Sequence, residues 1–169
     1  GPILGDIPLT SHKDSIVRNN DRSYLSDAFR ILRSNLSFVL PQVEGGKVIY
    51  VTSTIAGEGK TFIAINLAQV LSLMNKKVIL VGADVRAPKL PEYLGLENMQ
   101  STKGLTTLLA NFELNYLDCI ISKPGNYGID VLLSGPIPPN PAELLAGEKY
   151  PDLIRSLKET YDYVIVDTA

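Results

Sequence analysis

The sequence has 169 residues, 45% of them hydrophobic and 20% charged, which suits one globular domain and excludes disordered and fibrous chains. A formal net charge of -2 removes any global electrostatic case for nucleic acid, leaving only local basic patches open. One cysteine, Cys119, excludes an internal disulfide, and one histidine, His12, leaves no His/Cys cluster for zinc.

Residues 1–22 mix Pro, Gly, Asn and charge around a short apolar Ile7-Pro8-Leu9, and read as an extended lead-in. From Ser23 to Val39 the residues Leu25, Phe29, Leu32, Leu36 and Val39 alternate at three and four, the spacing of a helix with one apolar stripe. Pro41 and Gly45-Gly46 end it. Lys47 to Thr52 is a β-branched strand, the loop Ser53–Gly59 follows, and a helix is expected from Lys60 to Met74. Its Ile63, Ala64, Leu67, Ala68 and Leu71 are expected on one side.

Lys77 to Ala83 is continuously apolar, as a parallel strand covered on both faces must be. A helix near Gly104–Ala110 follows, then short strands near Leu117–Ile121 and Ile129–Leu133. The loop Gly135-Pro136-Ile137-Pro138-Pro139-Asn140-Pro141 comes next, then a helix over Pro151–Thr160 and a last strand over Tyr161–Asp167. Strands alternating with helices predict a three-layer α/β fold with a mostly parallel sheet and right-handed crossovers. The sequence stops just after that last strand, so the domain reads as incomplete at its C-terminal side. No apolar run reaches the roughly 18 residues that a bilayer span needs.

The chemistry concentrates in three places. In Val48-Ile49-Tyr50-Val51-Thr52-Ser53-Thr54-Ile55-Ala56-Gly57-Glu58-Gly59-Lys60-Thr61, a buried strand delivers the chain to a glycine loop that opens a helix. Gly57 and Gly59 let backbone N–H groups turn inward around a phosphate, and the helix N-terminus adds partial positive charge. Lys60 can reach the β/γ-phosphates and the Thr61 hydroxyl can ligate Mg²⁺. Ala56 to Phe62 are thus the candidate nucleotide-binding residues: Ala56, Gly57, Glu58, Gly59, Lys60, Thr61 and Phe62. The strict P-loop pattern has Gly where this chain has Thr54. Tyr163-Val164-Ile165-Val166-Asp167 has the form of an apolar strand with an acid at its carboxyl end, where α/β sheets bind ligands and an Asp can hold magnesium. Asp84, leaving the carboxyl end of the strand Lys77–Ala83, can bind the metal or accept a proton from a nucleophile, or alternatively serve as a helix cap or turn former with Arg86 as its ion-pair partner.

These stretches jointly resemble the cytoplasmic domain of the bacterial protein-tyrosine kinases of capsular and exopolysaccharide export, within the wider ParA/MinD-like P-loop ATPases. The likeness runs through Ile3-Leu4-Gly5-Asp6-Ile7-Pro8, the helix Asp27-Ala28-Phe29-Arg30-Ile31-Leu32-Arg33-Ser34-Asn35-Leu36, the P-loop and Asp84/Arg86. It continues through Pro138-Pro139-Asn140-Pro141-Ala142-Glu143-Leu144-Leu145 and Tyr161–Asp167. The resemblance implies an autophosphorylating, Mg-ATP-dependent tyrosine kinase domain over 23–169, with ADP as product and Lys60, Asp84 and Asp167 catalytic. Thr61, Asp84 and Asp167 are the implied metal ligands. Asp27, Arg30 and Arg33 stand where the family has its E-x-x-R-x-x-R oligomerisation motif, which implies a ring-like homo-oligomer presenting tyrosine-rich tails to neighbouring sites. It further implies a cytoplasmic domain tied to the bacterial inner membrane through a polysaccharide co-polymerase segment or adaptor outside these residues. Two departures stand out. Asp27 replaces Glu, and Gly82 replaces the first acid of the family's D-x-D-x-R.

Two other readings stay open on sequence alone. A partition or positioning ATPase carries a signature lysine early in its loop, where this chain has Ile55. A non-catalytic nucleotide-binding regulator of a polysaccharide exporter is compatible with Gly82.

Overall fold

A computed structural model describes residues 27, 30, 31, 34, 45–52, 59–111 and 113–169. The expected lead-in over 1–22 lies outside them. Of the expected helix over Ser23–Val39, Asp27, Arg30, Ile31 and Ser34 are described, and all are helical.

Among the described residues, four parallel strands form one sheet: β1 (Lys47–Val51), β2 (Val78–Gly82), β3 (Asp130–Leu132) and β4 (Tyr163–Asp167), in the order β1-β4-β2-β3. All five residues of β2 are buried, which explains its unbroken apolar run. Alternate side chains feed two separate cores. Val78 and Leu80 join Ile165, Val131 and the helix α1 (Gly59–Ser72) on one face. Ile79 and Val81 join Val164, Val166 and Leu132 on the other, against α3 (Leu105–Ala110) and α5 (Lys149–Thr160). Each fully buried aliphatic contributes about 1.5–3 kcal/mol, so Leu80→Ala in mid-sheet would cost at least that much.

The helix α1 forms because Ala64, Leu67, Ala68, Gln69 and Leu71 are strong helix formers and no Pro or Gly interrupts it. Ser72 ends it, its hydroxyl donating to the Gln69 carbonyl at 2.7 Å, and Asn75 then turns away at φ 61°. The single apolar side expected for this helix is corrected here. Phe62, Ile65 and Val70 are buried as well, while Ile63 is only half-buried, so α1 is enclosed nearly all round. Its buried amides are satisfied: Asn66 donates to the Phe62 carbonyl at 3.0 Å, and Gln69 accepts from Gly128 N at 3.1 Å.

Other expectations also shift. No strand forms over Leu117–Ile121. Tyr116–Asp118 is a single 3-10 turn begun by Asn115, whose side chain accepts from Leu117 N, and Ile121 makes one antiparallel bridge to Val131. Asn115 offers the backbone a local hydrogen bond that competes with strand pairing. Two short helices went unexpected: α2 (Leu90–Leu94) and α4 (Pro141–Ala146), each with Pro in its first turn, where the missing N–H costs nothing. The helix α5 starts at Lys149, two residues before the expected Pro151. No helix among the described residues is long and apolar enough to cross a membrane.

Candidate nucleotide site

Three neighbouring strands end level with one another. Val51 of β1 and Gly82 of β2 are both cross-strand partners of Asp167 in β4. Backbone bonds fix that edge, with Ala83 N donating to the Asp167 carbonyl at 2.9 Å and Thr168 N to the Val51 carbonyl at 3.2 Å. The helix α1 begins over these strand ends with Gly59, Lys60 and Thr61, and carries no acid in its first turn to oppose an incoming anion.

The functional side chains meet there. The Thr61 hydroxyl donates to Asp167 Oδ2 at 2.8 Å, and both residues are 2% exposed. Lys60 Nζ stands 3.2 Å from Asp167 Oδ1 and 3.8 Å from Asp84 Oδ2. Asp84 is held by its own turn, its Oδ1 accepting from Ala87 N at 3.2 Å. That turn is the one the sequence allowed for, but its ion-pair partner among the described residues is Lys60 rather than Arg86. Burial pushes the Asp167 carboxyl above its ordinary range; the Thr61 hydrogen bond and the Lys60 charge pull it back, and Asp84 pushes it up.

Asp167 Oδ1 is buried without a geometrically formed hydrogen bond, and Lys60, 3.2 Å away, pairs with it by charge. A buried, incompletely satisfied carboxylate oxygen beside a threonine hydroxyl suits a hard divalent cation such as Mg²⁺. Among the described residues no group of three His, Cys, Asp or Glu makes a protein cage. Phosphate oxygens and water would have to complete the shell, which is how magnesium is usually held at phosphate sites.

Other expected site residues fall elsewhere. Ala56, Gly57 and Glu58 lie outside the described residues. The Phe62 side chain belongs to the core, 1% exposed with its ring 6.5 Å from that of Tyr93, so it is not open to a ligand. Asp27 and Arg30 pair with each other along their helix at 3.4 Å, and Arg33 lies outside the described residues.

Two features escaped sequence reading. A Cβ at Gly82 would come 3.2 Å from Ser134 N and 3.4 Å from Leu90 Cδ2, so the chain leaving β3 closes directly on the strand where the family has an acid. Gln100 braces that closure, donating to Ser134 Oγ at 2.7 Å and to the Gly135 carbonyl at 2.8 Å. These contacts span more than thirty residues and leave no local pattern.

Level parallel strands, a helix opening on Gly-Lys-Thr and an acid closing the adjacent strand define a P-loop nucleotide-binding fold. Comparison with known proteins agrees. A family model described as an AAA domain matches residues 46–169. Tyrosine-protein kinase YwqD of Bacillus subtilis (strain 168) is 36% identical over 156 residues, 92% of this chain and 63% of that protein. Among solved structures, the chimerical protein CapA2B2 superposes with a TM-score of 0.83 at 38% identity, covering 99% of this chain and 70% of that one. The kinase domain of the Escherichia coli tyrosine kinase ETK gives 0.81 at 29% identity, with 98% and 68% covered. This chain therefore spans a little under two thirds of the Bacillus relative. It belongs to the AAA-domain P-loop family and, within it, to the bacterial protein-tyrosine kinase domains.

Proposed function

We propose that this chain is the phosphoryl-transfer domain of an autophosphorylating protein-tyrosine kinase that uses Mg-ATP in capsular or exopolysaccharide synthesis and export. The observation that carries the reading is the meeting of Lys60, Thr61, Asp84 and Asp167 at the carboxyl end of the sheet, under the N-terminus of α1.

In this reading Lys60 leaves its carboxylates to hold the β/γ-phosphates, and the first N–H groups of α1 face the same charge. Thr61 and Asp167 hold the magnesium, with Asp84 as a third, more exposed oxygen donor. The metal, when bound, neutralises charge developing on the transferred phosphoryl oxygens. Asp84 sits 22% exposed at the mouth, where it accepts the proton of an incoming tyrosine hydroxyl. The acceptor is a tyrosine-rich tail of a neighbouring subunit. Asp27, Arg30 and Arg33 set the ring-like contact, because guanidinium groups bond carboxylates directionally. The domain works on the cytoplasmic face of the bacterial inner membrane, attached through a co-polymerase segment or adaptor.

The test is phosphotyrosine formation by the protein in its native length with Mg-ATP. Lys60→Met should lower it by about 10²–10³-fold, as loss of one preorganised charge-stabilising group does. Labelling that survives the substitution contradicts the assignment. One observation favours a second reading: Gly82 leaves Asp167 without a carboxylate neighbour on β2. A non-catalytic regulator built on that gap would bind nucleotide yet give no label.

A further inference from the structure

Among the described residues, the side chains of Lys60, Thr61, Asp84 and Asp167, all expected to meet the Mg-nucleotide, are engaged with one another. The Lys60 ammonium, its side chain 8% exposed, stands against Asp167 Oδ1, and among the described residues no other cation lies within 4.0 Å of that carboxylate. Thr61 holds the other oxygen. Asp84 shares the same ammonium from 3.8 Å, but it is 22% exposed and keeps the Ala87 N–H on its second oxygen. One positive charge thus serves two carboxylates of very different depth.

We propose that in the nucleotide-free protein Lys60 acts as a latch: its ammonium is the internal counter-ion of Asp167 and is released only when a divalent cation arrives with the polyphosphate. The inference rests on reading this centre as a Mg-nucleotide site and adds a rule about how it fills. A polyphosphate that draws Lys60 away by itself strands Asp167, a carboxylate 2% exposed with one oxygen already lacking a hydrogen bond. A buried charge deprived of its counter-ion is among the costliest states a protein can adopt. Metal-free nucleotide and Asp167 therefore compete for one ammonium. A divalent cation at Oδ1 ends the competition by replacing the charge that Lys60 removes. Asp84 can lose Lys60 at lower cost because water reaches it.

Calorimetry with ADP, in magnesium and in EDTA, tests this on the protein in its native length. The wild type should bind ADP about 100-fold more weakly in EDTA. Asp167→Asn, which removes the charge that detains Lys60, should bind metal-free ADP about 10-fold more tightly than the wild type does. If the wild type binds ADP in magnesium while Asp167→Asn binds metal-free ADP no better than the wild type, the latch is wrong and the site reading stands. If the wild type fails to bind ADP even in magnesium, both fall. Urea unfolding of the nucleotide-free protein gives an independent check. The double variant Lys60→Met, Asp167→Asn should be no less stable than Lys60→Met alone, because the stranded carboxylate is gone. Additive losses would overturn the proposal.

Discussion

The two ends of the sheet each hold a buried or half-buried acid, and they treat it differently. At the amino end, Asp130 is fully engaged: Oδ1 accepts from Ser122 Oγ and from Lys123 N, both at 3.2 Å, and Oδ2 accepts from the Tyr161 hydroxyl at 2.6 Å. Asp162 nearby accepts from Lys77 N at 2.8 Å. At the carboxyl end, Asp167 has one oxygen bonded to Thr61, while the other lacks a hydrogen bond and stands 3.2 Å from the Lys60 ammonium. Burial alone does not separate these two acids. Completeness of hydrogen bonding does. A cleft at the amino end illustrates this: about 420 Å³ lies between Ser72, Lys76, Lys77, Lys123 and Tyr161, yet its acid, Asp130, has no oxygen left unbonded.

Exchanging the treatments should break the comparison most visibly at Asp167. Asp167→Ala should weaken Mg-nucleotide binding by about 100-fold, read by calorimetry, because the proposed buried metal ligand is lost. An unchanged affinity would put the metal elsewhere.

The carboxyl end also depends on backbone contacts behind the site. A Cβ at Gly104 would lie 2.5 Å from both Gly135 N and the Leu133 carbonyl, main-chain atoms that cannot swing aside. Gly104→Ala should therefore cost about 3 kcal/mol in urea unfolding, at the upper end for overpacking, since the start of α3 must separate from the chain leaving β3. A loss below measurement would mean that the two segments part freely. Asp130→Ala comes next. It should cost about 2 kcal/mol through its lost hydrogen bonds and leave nucleotide affinity unchanged. A fall in affinity would show that the two ends are coupled.

What could be read in advance followed from period and from strand ends. Continuous apolar runs at Val78–Gly82 and Tyr163–Asp167 specify parallel strands, and parallel strands bring their carboxyl ends together. Lys60, Asp84 and Asp167 could thus be placed near one another before any coordinates. The enclosure of α1 was not readable, because its apolar residues repeat on every side and a one-sided stripe was the wrong template. Leu117–Ile121 has strand-like composition, but Asn115 captures the chain in a turn first. The closure of Ser134 over Gly82, the brace from Gln100 and the bond from Tyr161 to Asp130 are long-range pairings of unlike residues. No local window contains them.

The finest test concerns Tyr161, the partner that completes Asp130. Tyr161→Phe removes one hydrogen bond to a carboxylate and should cost about 1 kcal/mol, leaving Oδ1 of Asp130 untouched. The pH dependence adds a signature. Burial first, then the bond to Asp130 and its charge, raises the phenol above its ordinary value of 10.0. The folded state therefore keeps the proton where the unfolded state releases it. A group raised in this way contributes its full stability below the unfolded value and loses it as pH climbs toward the folded one. The gap between wild type and Tyr161→Phe should stay constant from about pH 6 to 9 and then shrink as pH passes about 10. Urea midpoints of the two proteins at matched pH measure it. A gap that widens above about pH 10 would mean that the phenolate is favoured in the folded state, contrary to a hydroxyl that donates to an acid.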